Sequence, residues 1–287
     1  MFTRSRQAGF SLFELIIVIV LLGVMAGGAG MLITTPVDAY NDQVRRQLLV
    51  DQAEMALRQI ARDVRRALPN SIRTTAVGAG WALEMVNTID GARYRDETGG
   101  VFTADTDVLD FTDLDTEFNF LGQLNLTPPL VLGANQRLVI YNTAPTNIYS
   151  DAVLGSNPGI VTPAGTSLSL SNNGIEHHIV MAPAFQFSQQ SPGQRAFIID
   201  GPISYICDPL SQRISRYSNY AYSIGQPTTA PAGAAEGPVV TQLAGCSSPS
   251  YSAGTTQRGG IITLEISLSD SGESIRLLHQ VHVGNVP

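Results

Sequence analysis

The chain has 287 residues, enough for one large domain or two small ones with a sizeable core. Only 14% of the residues are charged, and Gly, Ser, Thr, Pro and Asn are frequent, a composition of β-rich, loop-rich exported proteins rather than helical cytosolic ones. The net charge of -7 is uneven: from Asn70 onward 9 Arg face 18 acidic residues, and this acidic body offers no basic stripe for nucleic acid.

In chain order, the first element is the run Phe10 to Ile33, 24 residues with a single charge, Glu14. A helix over it is roughly 36 Å long and spans a bilayer core of about 30 Å. Arg4 and Arg6 precede it and no basic residue follows before Arg45, which leaves the N-terminus in the cytoplasm and sends the body across. The run is too long for an ordinary secretory signal, and its small-residue cluster, "AGGAG", lies inside it rather than after it. A lone carboxylate inside a membrane helix costs several kcal/mol unless it is paired, so Glu14 reads as functional.

The residues around it, "AG-FSLFEL", resemble the leader of type IV pilins and of the pseudopilins of type II secretion. In that family a short basic leader ends in Gly, cleavage precedes an apolar residue, usually Phe, and the fifth mature residue is Glu. The resemblance implies a leader over 1–9, cleavage between Gly9 and Phe10, methylation of the new amine on Phe10, and an assembly role for Glu14. In a filament, where the dielectric is low, the Glu14 carboxylate would neutralise the amine of a neighbouring subunit. Gly23 and Gly27 form a small-xxx-small pair that serves either close helix packing or nothing more than tolerance.

The transmembrane helix over 10–33 is expected to continue as an amphipathic helix over 34–69. Leu49, Ala53, Leu57, Ile60, Val64 and Leu68 form one apolar stripe, with Pro69 ending the helix and Pro36 marking a kink. The Arg cluster at 58, 62, 65 and 66 reads as a solvated helix face, with lipid or partner contact as the alternative.

Residues 70–287 read as a β-rich periplasmic domain. "TDVLDFTDLD", "QRLVIYN", "HHIVMAP", "RAFIIDGPISYICD" and "RYSNYAYS" are strand candidates bounded by Gly, Pro or Asn. "GIITLEISLS" alternates cleanly, with Ile262, Leu264, Ile266 and Leu268 inward. After the turn "DSGE", "SIRLLHQVHV" returns with Ile275, Leu277, Val281 and Val283 on one face, a hairpin. The Gly- and Pro-rich stretch at about 225–245 predicts a flexible loop.

Export of this part makes one disulfide, Cys207–Cys246, the expected state of the two cysteines, with a pair of buried free thiols as the alternative. The fold class expected is α+β and pilin-like. Several segments, the closing "LLHQVHVGNVP" above all, resemble minor pilin-like subunits of mannose-sensitive haemagglutinin (MSHA) pilus systems, similar in layout to the J-type minor pseudopilin. That resemblance implies a single-pass inner-membrane protein working in pilus biogenesis or initiation. Its partners would be other minor and major pilins, a prepilin peptidase and an inner-membrane assembly platform. The alternatives are a type II secretion pseudopilin and an anchored periplasmic binding protein or adhesin.

No cofactor or enzyme chemistry is expected, because no nucleophile elbow, phosphate loop or convergent acid–base set occurs. His177 and His178, and His279 and His282, are one and three apart on strands, so neither pair converges on a metal. His279 reads as a hydrogen-bonded core residue. The acid-rich run from Asp105 to Glu117 supplies the oxygens that calcium takes, with Asp105, Asp107 and Asp110 as candidates, but it lacks the loop spacing with a central Gly. A solvated strand edge is the expected reading.

Overall fold

A computed structural model describes residues 9–97, 107–133, 135–255 and 257–284. Helix α1 runs from Leu12 to Arg65, 54 residues, and is about 80 Å long at 1.5 Å per residue. Pro36 lies inside it, where its missing N–H removes one helical hydrogen bond without ending the helix. The end comes four residues before the expected 69. Arg66 N and Ala67 N make tight turns onto Asp63 O and Val64 O, and Leu68 N donates instead to Val86 O at 2.8 Å. Leu68 is buried, but in a different part of the core from the rest of the predicted stripe.

The β-structure forms two antiparallel sheets. The larger contains β1 (Arg73–Val77), β2 (Gly80–Tyr94), β3 (Asp115–Leu121), β4 (Leu130–Val131), β5 (Arg137–Ile140), β6 (Ser167–Asn172), β7 (His177–Phe185), β8 (Arg195–Asp208), β9 (Arg213–Ser218) and β10 (Ala235–Val240). Its main path is β10-β9-β8-β2-β3-β7-β6-β4, with β1 on β2 and β5 on β8. The smaller is β11 (Leu243–Ser252), β12 (Ile261–Asp270) and β13 (Glu273–His282) in sequence order. Among the described residues, one further helix, α2 (Pro145–Leu154), starts with Pro and ends on Gly155 in the left-handed region at φ +65.

The predicted hairpin is β12–β13, in unbroken register from Ile261↔His282 to Asp270↔Glu273. Ile262, Leu264, Ile266 and Leu268 are buried, as the alternation requires. They face Leu49, Ala53, Leu57, Ile60 and Val64 of α1, and the same core includes Trp81, Leu83, Met85 and Tyr205 of the large sheet. The second half of α1 and the small sheet thus share one core with β2 and β8. The Cys207–Cys246 disulfide joins β8 to β11, one sheet to the other, across 39 residues of sequence. A second core gathers farther along β2 and β8 around Phe118, Phe120, Phe185 and Phe187, and a third lies under α2 around Tyr149 and Ile148.

Three expectations are corrected. "TDVLDFTDLD" is not a strand over its described part: β3 begins only at Asp115. Asp110 Oδ1 accepts from both Thr112 N and Thr112 Oγ at 2.7 Å, and Asp115 Oδ2 accepts from Asp110 N at 2.9 Å. These local bonds give the backbone a turn in place of a ladder. "RYSNYAYS" contributes only its first three residues to a strand, the end of β9.

The stretch 225–245 is not a free loop. Residues 235–240 form β10, an edge strand that tolerates Pro238 at a register shift. Before it, Arg73 Nη1 and Nη2 donate to Ile224 O and Ser223 O at 2.7 and 2.8 Å, and Gln226 Nε2 donates to Ala82 O at 2.9 Å. The chain is held at the start of this stretch by Arg73, from outside it, and by its own Gln226.

Candidate functional site

The first residues of the described chain lead directly into α1. Gly9 and Phe10 are exposed and outside the helix, and Ser11 is its N-cap at φ -73, ψ 144. Ser11 Oγ accepts a hydrogen bond from Phe13 N at 3.3 Å, and Leu15 N donates to Ser11 O at 3.1 Å. The expected scissile bond, Gly9–Phe10, is therefore an exposed, non-helical peptide immediately before a capped helix. A methyl group built on Gly9 meets nothing within 4 Å.

Glu14 sits in the first turn of the helix and is exposed. Ser11 and Glu14 stand at N-cap and N3, the spacing of a capping box, a signal carried by the sequence itself. A carboxylate at this end also meets the positive end of the helix dipole. Among the described residues, the Glu14 carboxylate has no hydrogen-bond or ion-pair partner.

Around it, Leu12–Ala29 has a mean hydropathy of 2.5 and none of it is buried in the protein. By length and composition this segment is able to cross a membrane. Gly23, Gly27 and Gly28 have no neighbour within 4 Å of a built Cβ, so any close packing at these positions involves another molecule.

The outer half of α1 carries a feature that a single apolar stripe does not describe. Val37, Tyr40, Val44, Leu48 and Met55 are all exposed, by 37 to 67%. At about 100° per residue they fall within an arc of roughly 80°, on the side away from the core-facing stripe. Arg58 and Arg62 continue the same side toward the helix end; Arg58 pairs with Glu54 at 2.5 Å and stays exposed. The helix thus has a core-facing apolar side covered by the small sheet and an opposite, bare side on which these apolar residues are interrupted by exposed Asp51. The spacing 37, 44, 48, 55 is present in the sequence, but Asp51 interrupts it and the core-facing stripe is the stronger pattern.

The remaining sequence candidates take other parts. Asp105 lies outside the described residues. Asp107 Oδ1 accepts from Val108 N at 2.9 Å and Asp110 is occupied by Thr112. Among the described residues, no three His, Cys, Asp or Glu side chains gather as a metal site would require.

His177 is buried and its Nδ1 accepts from Leu124 N at 3.1 Å; burial pushes its pKa down, against an opposing pull from Asp90. His178 contacts Asn119 Oδ1 at 2.8 Å and Glu117 Oε2 at 3.2 Å. His279 is half-buried, not a core residue, and among the described residues its imidazole has no hydrogen bond.

Two buried carboxylates were not singled out by the sequence. Glu84 on β2 is fully buried, receives Arg73 Nε at 2.6 Å and Tyr220 Oη at 2.9 Å, and burial nevertheless holds its pKa above the ordinary value. Glu176 is bonded by Arg95 and by Asn119 Nδ2 at 3.0 Å; burial raises its pKa, but these donors outweigh it and leave the carboxyl below its ordinary value.

An apolar helix followed by a β-rich domain, with a capped and exposed N-terminal segment ahead of it, is consistent with a pilin-like α+β class. A family model described as the prokaryotic N-terminal methylation motif matches residues 4–30. This is a type IV pilin-like prepilin signal: it supports a pilin or pseudopilin type, fits a membrane-anchored protein, and implies processing by a prepilin peptidase and assembly with other pilins. No curated protein and no solved structure matches the chain.

Proposed function

We propose that the protein is a minor pilin-like subunit acting in the biogenesis or initiation of a type IV pilus of the MSHA type, with no enzymatic activity of its own. Within that system the sequence most resembles MshO. A prepilin peptidase would cut between Gly9 and Phe10 on the cytoplasmic side, the new amine of Phe10 would be methylated, and the protein would stay in the inner membrane by one helix with its body in the periplasm.

The observation that carries this reading is Glu14, an acid at the head of an uncovered apolar helix with no partner among the described residues. Such a carboxylate in hydrocarbon is expensive when alone. A cationic amine from a neighbouring subunit relieves the cost, so assembly satisfies what a lone subunit does not. The bare side from Val37 to Met55 supports the same reading, because it carries five uncovered apolar side chains, with Asp51 among them, onto the half of the helix outside the membrane.

The test is mass spectrometry of the N-terminal peptide from cells with an active prepilin peptidase. The expected peptide begins with methylated Phe10; one beginning at Met1 overturns the proposal. The chain has no Lys, so an amine-reactive reagent on the denatured protein reports on the N-terminus alone. Glu14→Ala separates assembly from simple anchoring, since a tethered binding protein keeps its ligand affinity when Glu14 is lost.

A further inference from the structure

A cavity of about 440 Å³ opens where α2, β5, β8 and the segment after β9 meet, far along the fold from the N-terminal helix segment just described. Its walls include Arg137 of β5, Asp200 of β8 and Tyr222. Asp200 owes its place to a bulge. In the β2–β8 ladder Asn87 pairs with Gly201 and Thr88 with Ile199, so Asp200 is the extra residue, and Gly201 at φ +127 takes the turn that follows. Bulges of this kind re-aim a side chain out of a sheet.

Arg137 donates from Nη1 to Ala152 O at 2.8 Å, while its Nε is shielded from solvent and unbonded. Asp200 Oδ1 accepts from Asn87 Nδ2 at 2.8 Å. Among the described residues neither charge has an ion-pair partner, although both line the same cavity. The Tyr222 hydroxyl is a further buried polar atom without a bond. An arginine and an aspartate that share one cavity without pairing present a cation and an anion to whatever enters.

We propose that this cavity binds a small zwitterion of the α-amino acid type, its carboxylate toward Arg137 and its ammonium toward Asp200. The volume lies within the range of small-ligand sites. A simple anion is disfavoured by the Asp200 carboxylate on the same wall. A ligand that stacks on the Tyr222 ring competes with the Arg137 guanidinium already beside it. The Arg137 guanidinium lies 4.8 Å from the ring centroid, and Tyr149 packs at 6.3 Å.

The inference does not depend on the assembly role. The experiment is calorimetric titration of the full chain in detergent with L-alanine and L-phenylalanine, and with N-acetyl-L-phenylalanine and L-phenylalaninamide, which lack one charge each. Saturable binding of at least one free amino acid is expected. It should fall at least tenfold for the two blocked derivatives and for Arg137→Gln and Asp200→Asn. Should either variant fail to fold, Val153→Trp, at an exposed wall position of α2, is expected to abolish binding by filling the cavity. The absence of saturable binding, binding that survives both substitutions or the filled cavity, or tighter binding of inorganic phosphate or glucose overturns the proposal.

Discussion

The hydroxyl of Tyr205 donates to Asp63 Oδ2 at 2.6 Å, joining the last turn of α1 to the centre of the large sheet. Arg216 Nε donates to the same oxygen at 2.7 Å. One carboxylate therefore holds a helix end to two neighbouring strands, β8 and β9. Burial, and then the adjacent Asp63 carboxylate, push the Tyr205 hydroxyl far above its ordinary pKa, so it remains a donor at every physiological pH. Asp63→Ala leaves a tyrosine and an arginine short of their acceptor in a mostly buried place. We expect a loss of about 2–3 kcal/mol, read as a lower urea midpoint by the fluorescence of Trp81, the single and buried tryptophan.

Glycines at two positions should behave in opposite ways. Gly9→Ala has room for its methyl, so stability is expected to stay within about 0.5 kcal/mol while leader removal is lost, as seen on an immunoblot of precursor and mature bands. At Gly80 a built Cβ lies 2.1 Å from the Cys207 carbonyl oxygen. Gly80→Ala forces β2 away from β8 and should destabilise by about 1–3 kcal/mol without touching the leader.

The bare side of α1 gives a prediction in which folding and assembly separate. Leu48→Asp and Met55→Asp alter side chains that are 57 and 61% exposed. The unfolding midpoint is expected to move by no more than about 0.5 kcal/mol. Filament formation, scored by electron microscopy in a strain carrying the variant alone, is expected to fail. Normal filaments with both aspartates present would remove this side of the helix from the assembly surface.

Glu84 predicts a pH dependence. Its folded pKa is raised by burial, more than Arg73 and Tyr220 lower it. A raised carboxyl binds its proton more tightly in the folded state. Its stabilising contribution is complete below the ordinary value of 4.5 and disappears as the pH climbs through the raised value. Acidification from pH 7 toward that region should therefore stabilise the native chain relative to Glu84→Gln, and the difference between their urea midpoints should change in that direction.

The disulfide closes a loop of 39 residues and crosses between sheets. Replacing both cysteines with alanine should cost about 2–4 kcal/mol. Because the bond ties β11 to β8, amide exchange should quicken first in β11 and β12 and least around Phe118 and Phe120, measurable by hydrogen exchange with mass spectrometry.

The sequence was most readable where one physical signal dominated. The 24-residue apolar run, the Leu49-to-Val64 stripe and the Ile262-to-Leu268 alternation each gave the correct element, because period and burial agree there. It was least readable where contacts distant in the chain decide. The central strand β2 hides in "GWALEMVNTIDGARY", buried on both faces over its first half and carrying Glu84, so no two-residue period shows. The 225–245 stretch looked mobile because Gly and Pro dominate its composition, while the residues that fix it, Arg73 and Ala82, lie some 150 positions earlier. At the candidate site, Glu14 and the Gly9–Phe10 bond stood out as local motifs. The second side of α1 and the Arg137–Asp200 cavity needed the fold.

The single long helix also decides how traction reaches the body. Arg46 contacts Glu273 where β13 begins, and Gly284 N bonds Arg65 O just past its end, so strand and helix run side by side in the same direction. Force applied along α1 therefore loads the seam with β13 lengthwise, as shear between the contact at its start and the one at its end. Such a joint has no corner from which to peel, and it yields only when its contacts let go together.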